Sequence, residues 1–364
     1  MTRPAGRGAP GSWPAAGRCA LLALLLGVSP VACGVQPPAA SAGQDRPEVQ
    51  AFARTMVERH GFEHQSLARL LDGIRINPEV AALAAPPATA ERRNWRVYRA
   101  RFVEPLRIRA GVDFWRGHAG TLARAEREFG VPAEILVGIL GVETIYGRQM
   151  GRFPVLEALA TLAFDYPEAP NRRERSAMFL SELEAYLVWC RDTGQDPASL
   201  TGSYAGAVGI PQFLPSSIRT WAVDYDRNGR IDLGESAEDA IGSVANYLKC
   251  QGWRRGRPIL WRVARTGKAT TVLAARADGD PHPKWRMGGL LDLGVRPQGP
   301  ASRPRKAERE AKAIIVDLPS PDHPTEYRLG LDNFYVITRY NRSFFYAAAV
   351  VDLGRAVRLA AKRK

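Results

Sequence analysis

The sequence predicts a mainly α-helical protein of the α+β class, with one small β lobe. Apolar residues recur at helical spacing through most of residues 48–250, which is typical of amphipathic helices. Between about residues 256 and 338 the pattern changes to short apolar runs separated by Gly- and Pro-rich turns, which favours strands. The 364-residue chain contains 45% apolar and 24% charged residues, an ordinary globular composition. It is long enough for a large helical core with smaller lobes.

The first 42 residues indicate export from the cytoplasm. Three arginines precede an apolar run at 19–28, which is a signal-peptide pattern and is shorter than the roughly 20 residues that span a bilayer. The small residues at 40–42 fit one kind of processing site, whereas Val31-Ala-Cys33-Gly is similar to a lipoprotein site at which Cys33 would carry a lipid. We predict a signal peptide and the start of a flexible tether at 1–42 and leave the lipid anchor open.

Several helices are predicted before a glycine-rich loop. The helical patterns cover 48–71, 95–102, 112–129, 132–144, 156–162 and 173–190, with a Pro/Ala-rich break at 84–88. Gly202, Gly206, Gly209 and Pro211 exclude a long helix in the next segment. We therefore expect a tight loop at 203–215 that forms the wall of a site.

The remaining pattern consists of strands followed by one helix. Strand-like runs occupy 259–263, 313–317 and 334–338, and a final helix is predicted at 343–361. We divide the mature chain into an N-terminal helical lobe at 43–130, a core at 131–255, a β lobe at 256–338 and a C-terminal helix at 339–364 that returns to the core.

The charge and the cysteines restrict the environment and the partners. The formal net charge is +14, and +11 remains without the first 42 residues. Such an excess favours an anionic partner. For an exported protein, this partner is expected to be peptidoglycan stem carboxylates or an anionic membrane face rather than nucleic acid. Cys190 and Cys250 remain for the folded part, and either a disulfide or two free thiols fits a domain of this size.

Glu143 is the first candidate for chemistry. It ends an apolar helical stretch and is followed by Tyr146 and Gly147. A carboxyl group beside an apolar wall retains its proton to higher pH, because desolvation disfavours the charged form. Such a group can serve as a general acid near neutral pH. The alternative from spacing alone is a solvated glutamate at a helix end.

Residues 224–235 have the spacing of a calcium-binding loop. Oxygen donors stand at positions 1, 3, 5, 9 and 12, which are Asp224, Asp226, Asn228, Asp232 and Glu235. Gly229 occupies the sharp-turn position, and the Arg230 carbonyl is available at position 7. Calcium sensors usually pair two such loops, and this sequence has one. We therefore predict a structural Ca²⁺ ion rather than a switch.

Other catalytic patterns are lacking in the sequence. His60 and His64 lie four residues apart with no third ligand nearby, so a surface pair is favoured over zinc. The sequence has neither a Gly-rich phosphate loop nor a Gly-x-Ser-x-Gly elbow. These absences argue against nucleotide hydrolases and α/β-hydrolases.

Four long runs of sequence resemble the membrane-bound lytic murein transglycosylase B family, glycoside hydrolase family 103. They are 130–147, which contains Gly-Val-Glu143-Thr-Ile-Tyr-Gly, 202–217, 239–248 and 339–346, in the family's order. The resemblance implies a lysozyme-like helical catalytic core with a helical lobe and an inserted β lobe. It also implies a monomer in the periplasm of a Gram-negative bacterium, with an outer-membrane anchor left open.

The resemblance further implies a reaction. Glu143 would protonate the glycosidic oxygen between muramoyl and glucosaminyl residues, then accept the proton of the muramoyl C6 hydroxyl as that oxygen attacks C1. The product would be a 1,6-anhydromuramoyl end, without water and without a cofactor for the chemistry. By position in the family's motifs, the groove would be lined by Ser203, Gln212, Phe213, Tyr247, Tyr340, Asn341 and Tyr346.

The sequence departs from the family pattern at the calcium loop. The resemblance implies that Asp239 closes the loop, but here the spacing is one residue longer and Glu235 already occupies the usual closing position. Both residues therefore remain candidates. Two other functions also stay open: a hydrolytic muramidase on the same core, and a non-catalytic peptidoglycan-binding protein in which Glu143 is structural.

Overall fold

We describe the fold from a computed structural model that covers residues 46–87, 93–264, 266–299 and 304–362. The predicted signal segment at 1–42, including Cys33, lies outside the described residues. Both cysteines of the folded part are free thiols, Cys190 buried and Cys250 exposed. Of the two possibilities left open by the sequence, the disulfide is therefore wrong.

The N-terminal half of the described chain is helical. Its helices are α1 (Pro47–His60), α2 (His64–Asp72), α3 (Pro78–Ala84), α4 (Trp95–Phe102), α5 (Pro105–Gly117), α6 (Ala119–Phe129), α7 (Ala133–Thr144), α8 (Val155–Phe164) and α9 (Arg172–Thr193). Two short strands, β1 (Phe153–Pro154) and β2 (Thr201–Gly202), pair antiparallel before and after the last two helices.

The C-terminal half combines helices with a four-stranded sheet. The helices are α10 (Pro215–Trp221), α11 (Ala237–Cys250), α12 (Gly267–Ala274), α13 (Met287–Asp292), α14 (Lys306–Glu310), α15 (Asp332–Tyr340) and α16 (Phe344–Ala361). The strands are β3 (Leu260–Arg262), β4 (Trp285–Arg286), β5 (Lys312–Ser320) and β6 (His323–Gly330), in the antiparallel order β3-β6-β5-β4.

Strand β5 joins the sheet to the helical core because its two faces are buried against different partners. Ile314 and Val316 belong to the large helical core, whereas Ala313 and Ile315 belong to a second apolar cluster with α12 and α13. This is the period-2 alternation of a strand with both faces covered. Strand β5 therefore packs the sheet against the helices, and Arg328 of β6 adds an ion pair with Asp352 of α16.

Two predicted helices are each divided in the structure. The pattern at 48–71 contains α1 and α2, separated at Gly61, which adopts φ 67° in the left-handed region. The pattern at 112–129 is divided at His118, which lies between α5 and α6. In the first case the left-handed glycine is a common helix C-cap, and the side chain of Glu63 accepts hydrogen bonds from the first amides of α2.

The predicted strand at 334–338 is wrong, because these residues form part of α15. Its β-branched and aromatic composition favours a strand, but Phe334, Ile337 and Thr338 are buried at spacing i, i+3 and i+4, which is a helical face. Burial of that face overrides local propensity. Of the strands that the sequence pattern missed, β6 is the longest, and its residues include a proline and several polar side chains.

Candidate active site

A cavity of about 360 Å³ opens where α4, α7, the 203–213 loop and the start of α16 meet. Among the described residues that line it, Glu143 is the only one with a carboxyl side chain. Apolar and aromatic side chains line much of the wall, with several amides, hydroxyls and guanidinium groups. Such a mixture of apolar surface and a few converging polar groups is typical of ligand sites.

Helix α7 carries Glu143 into this cavity from inside the core. Nearly every side chain of α7 is buried, and α16 packs directly on it. A methyl group added at Gly138 would lie 2.4 Å from the Val350 carbonyl oxygen, and one added at Gly354 would meet the Glu134 carbonyl oxygen. Glycine at these positions lets the two backbones approach closely. Glu143 is therefore presented by a helix with little freedom to move.

The chain turns sharply just beyond Glu143. Ile145 and Tyr146 both have positive φ, 52° and 58°, which is uncommon for any residue other than glycine and an outlier for a β-branched one. The Thr144 hydroxyl is buried, donates to the Ile210 carbonyl at 2.8 Å and accepts from the Gly147 amide at 2.9 Å. The hydrogen bond from Thr144 to Ile210 connects the turn to the glycine-rich loop on the opposite wall of the cavity. Strained backbone of this kind is concentrated at functional sites.

The environment of Glu143 favours its protonated form. The Tyr346 hydroxyl donates to Glu143 Oε1 at 2.5 Å, and no cation forms an ion pair with Glu143 among the described residues. Burial raises the pKa of Glu143 to about 7, while the hydrogen bond from Tyr346 opposes part of that rise. Near neutral pH the group can therefore both release and accept a proton.

Five of the predicted groove residues line the cavity with Glu143. They are Ser203, Gln212, Tyr340, Asn341 and Tyr346.

The polar members of this set are held by backbone contacts. The Ser203 hydroxyl accepts from the amides of Ala205 and Ala207 at 3.3 and 3.0 Å, which leaves its own proton to be donated. The Gln212 amide nitrogen donates to the carbonyls of Met150 and Gly209 at 3.0 and 2.9 Å. Such side chains are preorganised, which reduces the entropy cost of binding.

The two remaining predicted groove residues differ in position from the other five. Phe213 and Tyr247 do not line the cavity and are buried behind its wall. Their rings pack against Tyr340, with centroids 5.9 and 5.1 Å away, and the Tyr247 hydroxyl donates to the Arg339 carbonyl at 2.7 Å. They support Tyr340 from behind, which the sequence motif could not distinguish from contact with a ligand.

The structure also brings in residues that the sequence did not single out. Phe102 and Arg107, from α4 and α5, form one side of the cavity, and Arg148 and Arg152 lie in the segment that follows Glu143. They come from a part of the chain that was assigned only as a helical lobe, or from a turn without a motif. The one available signal was the density of arginines around residues 92–109.

The calcium-binding pattern forms a compact carboxylate cluster. One side-chain oxygen from each of Asp224, Asp226 and Asp239 lies within 4.8 Å of the others. Asp239 is fully buried and accepts from the amides of Tyr225 and Asp232 at 2.7 and 2.8 Å. Hard oxygen donors gathered in this way have the chemistry that Ca²⁺ prefers.

Asp239 rather than Glu235 joins this cluster. Glu235 is exposed and lies outside this group of three carboxylates. The reason is the onset of α11: the Ser236 hydroxyl caps the helix by accepting from the Asp239 amide at 3.1 Å. The first turn of α11 therefore places Asp239 inside the loop.

The carboxylate cluster and the cavity share a connecting segment. The Ile210 amide donates to the Leu233 carbonyl, at the end of the calcium-type loop, at 2.7 Å. The Ile210 carbonyl accepts from Thr144, next to Glu143. Through Ile210, the calcium-type loop supports the cavity wall that contains Gln212.

Comparison with known proteins decides the family. A sequence profile of the transglycosylase SLT domain matches residues 44–355. The chain belongs to the transglycosylase SLT family. Membrane-bound lytic murein transglycosylase B of Escherichia coli K12 is 38% identical to this transglycosylase over 327 residues, which cover 87% of this chain and 84% of that protein. The predicted family resemblance is confirmed.

Solved structures agree with this assignment. The Escherichia coli lytic transglycosylase Slt35 in complex with calcium matches with a TM-score of 0.74 and 38% identity, covering 87% of this transglycosylase and 94% of that chain. SltB3 from Pseudomonas aeruginosa in complex with NAG-NAM-pentapeptide matches with a TM-score of 0.71 and 30% identity, covering 86% and 79%. The predicted fold class, a lysozyme-like helical core with a small β component, is confirmed.

Within the described part of this transglycosylase, no helix has both the length and the apolar character needed to cross a membrane.

Proposed function

We propose that this transglycosylase cleaves the β-1,4 bond between N-acetylmuramic acid and N-acetylglucosamine without water, leaving 1,6-anhydromuramoyl ends. Glu143 is the single catalytic group. The observation that carries this proposal is one carboxyl side chain in the cavity, with a pKa raised to about 7 by burial. A group poised near neutral pH suits both halves of an acid-then-base reaction.

In the first half of the reaction Glu143 donates its proton to the glycosidic oxygen, and the bond from C1 to that oxygen breaks. In the second half the Glu143 carboxylate accepts the proton of the muramoyl C6 hydroxyl, while O6 forms the new bond to C1. The proton taken up replaces the proton given, so the enzyme ends as it began. The Tyr346 hydroxyl, 2.5 Å from Glu143 Oε1, holds the carboxyl in place and stabilises its charged form.

Substrate contacts are proposed for the five groove residues that line the cavity. The Ser203 hydroxyl and the amides of Gln212 and Asn341 suit the acetamido groups of the sugars, and the faces of Tyr340 and Tyr346 suit ring carbons. Tyr340 and Tyr346 lie nearly parallel, with an interplanar angle of 10° and centroids 6.3 Å apart. Relative SltB3 has been solved with NAG-NAM-pentapeptide, which supports peptidoglycan as the ligand class.

A structural Ca²⁺ is proposed for the carboxylate cluster of Asp224, Asp226 and Asp239. The mutual approach of these three side chains and the calcium complex of Slt35 support it. When bound, the ion would offset their mutual repulsion, and the chemistry at Glu143 is proposed to need no cofactor.

A periplasmic, monomeric enzyme is proposed, with a lipid on Cys33 as a possible link to the outer membrane. The export pattern of the sequence supports the compartment, and the name of the Escherichia coli relative supports membrane attachment in that protein.

The main competing function is a hydrolytic muramidase on the same fold. Hydrolytic glycosidases generally place a second carboxyl group about 5–10 Å from the acid, to act as nucleophile or to activate water. Among the described residues lining the cavity no second carboxyl group is present. An intramolecular C6 hydroxyl removes the need for one.

Product analysis tests the proposal. Purified sacculi are digested with the mature protein and with Glu143→Gln, and the soluble muropeptides are identified by mass spectrometry. Anhydromuropeptides from the wild type and none from the variant are expected. Reducing ends as the main wild-type product would indicate a muramidase. Equal products from both proteins would show that Glu143 is not catalytic, and products from neither would leave a binding role.

A further inference from the structure

The cavity around Glu143 carries a surplus of positive charge. Three arginines line it, namely Arg107, Arg148 and Arg152, against one carboxyl group that is protonated in part near neutral pH. Arg152 pairs with Glu79 outside the cavity, and Arg148 is exposed at its mouth. Arg107 differs from both because it is buried.

Arg107 is a buried cation that forms no ion pair among the described residues. Its side chain is 8% exposed, and Nε has no hydrogen-bond partner among the described residues. One terminal nitrogen donates to the Arg101 carbonyl, and the guanidinium lies 5.1 Å from the centre of the Phe102 ring. These contacts fix its orientation but do not neutralise its charge.

Glu104 is the acidic side chain that acts on Arg107, and it also caps a helix. Glu104 accepts from the amides of Leu106 and Arg107 at 2.6 and 2.5 Å, one with each carboxylate oxygen. It therefore caps the N-terminus of α5. Burial lowers the pKa of Arg107 and outweighs the charge of Glu104, which favours the charged form. The two side chains form no ion pair, so the guanidinium can still bind a group that enters the cavity.

Elsewhere this chain neutralises a buried arginine fully. Arg328 is 2% exposed and forms ion pairs with Asp352 at 2.8 Å and with Glu326 at 2.7 Å. Leaving a charge buried and unpaired opposes folding. An uncompensated cation that lines a binding cavity is therefore best explained by a ligand that supplies the counter-charge.

We propose that Arg107 binds a carboxylate of the peptide stem carried by the muramoyl residue in the cavity. This rests on the proposed function, because it takes peptidoglycan as the substrate. The sugar rings and their acetamido groups are uncharged, and in a peptide-substituted strand the lactyl carboxyl is an amide, so the stem supplies the anions. A guanidinium binds carboxylate through two parallel N–H donors. Arg148 at the mouth adds attraction at longer range.

Binding of two matched ligands tests this assignment. The ligands are the GlcNAc-MurNAc-tetrapeptide and the same molecule with its peptide carboxyls converted to amides, and affinity is measured by calorimetry in a Glu143→Gln background that prevents cleavage. The acid form is expected to bind about tenfold more tightly than the amide form. Adding Arg107→Met should remove that preference. Adding Arg109→Met, an exposed arginine of α5 that does not line the cavity, should leave it.

The melting temperature separates a ligand-binding role from a structural one. Removal of an uncompensated buried charge should leave the melting temperature of Arg107→Met unchanged or higher. A lower melting temperature with equal weakening of both ligands would make Arg107 structural and overturn the inference, as would an unchanged preference in Arg107→Met. If the methionine variant does not fold, Arg107→Gln serves the same comparison.

Failure of the inference can be distinguished from failure of the proposed function. Anhydromuropeptides from the wild type, together with equal affinity for both ligands, would overturn the role of Arg107 alone. No cleavage of sacculi and no binding of either ligand would overturn both.

Discussion

Two regions of the molecule each hold a largely buried carboxyl group, and the two groups have opposite protonation preferences. In the cavity, Glu143 has one tyrosine hydroxyl as its partner, and burial raises its pKa to about 7. At the junction of α4, α16 and the sheet, burial also acts to raise the pKa of Asp352, but ion pairs with Arg328 and Arg99 outweigh it and lower the pKa.

One helix links these two regions. Helix α16 contains both Asp352 and Tyr346, the residue that contacts Glu143. The comparison shows that depth in the protein does not decide what a carboxyl group does. Ion pairs with Arg328 and Arg99 keep Asp352 charged and connect α16 to β6 and α4. Glu143 forms no ion pair among the described residues, which leaves it able to exchange a proton.

The largest effect should follow removal of the exchangeable proton. We expect Glu143→Gln to lower the rate of glycan-strand cleavage by about 10³-fold, which is within the range for loss of a general acid–base. Dye release from labelled sacculi measures it. Glu182→Gln is a matched control: burial also raises the pKa of Glu182, but it bonds to Ser216 outside the cavity. Comparable loss in that control would show that burial alone, rather than position, explains the effect.

The next largest effect should come from removing the ion pair between Arg328 and Asp352. Arg328→Met leaves Asp352 buried with Arg99 as its main remaining partner, and we expect the free energy of unfolding to fall by about 3 kcal/mol. Urea denaturation measures it. The double variant Arg328→Met/Asp352→Leu should recover much of that loss, because it removes both buried charges and leaves only exposed side chains without their partner. Equal stability of Arg328→Met and wild type would contradict the role assigned to Asp352.

The pH dependence of stability should distinguish Glu143 from Asp352. The pKa of Glu143 is about 7 in the folded state, against an ordinary value of 4.5, so the folded protein binds more protons between these values. Stability must therefore fall as pH rises from about 4.5 to 7 because of this group. Glu143→Gln removes that contribution, so its free energy of unfolding should gain ~3 kcal/mol relative to wild type across this interval. Asp352, with its lowered pKa, acts in the other direction and only in acid.

Denaturation of both proteins at pH 4.5 and pH 7 gives the measurement. If wild type and variant differed by the same free energy of unfolding at both pH values, the pKa of Glu143 would be the same in the folded and unfolded states.

The smallest expected effect concerns the carboxylate cluster of Asp224, Asp226 and Asp239. Asp224→Ala should lower the melting temperature by a few degrees in calcium and by little in chelator, because a bound ion stabilises only the state that binds it. Cleavage at low temperature should persist. Glu235→Gln, outside the cluster, should retain the calcium effect. Loss of cleavage in a fully folded Asp224→Ala protein would show that the ion does more than stabilise.

Much of the fold and part of the site follow from sequence. Periodicity predicts most helices because one face of each is buried. The motif around Glu143 predicts the end of α7 that lines the cavity. Periodicity failed for α15, where strand-forming residues lie on a helical face. It also missed the inward position of Arg107, since an arginine on an amphipathic helix is ordinarily exposed. The motif also does not show that Phe213 and Tyr247 lie behind Tyr340 rather than in the cavity lining.

Titration of Glu143 itself tests most directly whether this carboxyl group can act as the proton donor near neutral pH. Side-chain carboxyl carbons of glutamate are labelled with ¹³C, and the Glu143 signal is assigned by its absence in Glu143→Gln. We expect a chemical-shift midpoint near pH 7. A midpoint near the ordinary value of 4.5 would mean that the carboxyl is charged at neutral pH, and would contradict its role as the proton donor.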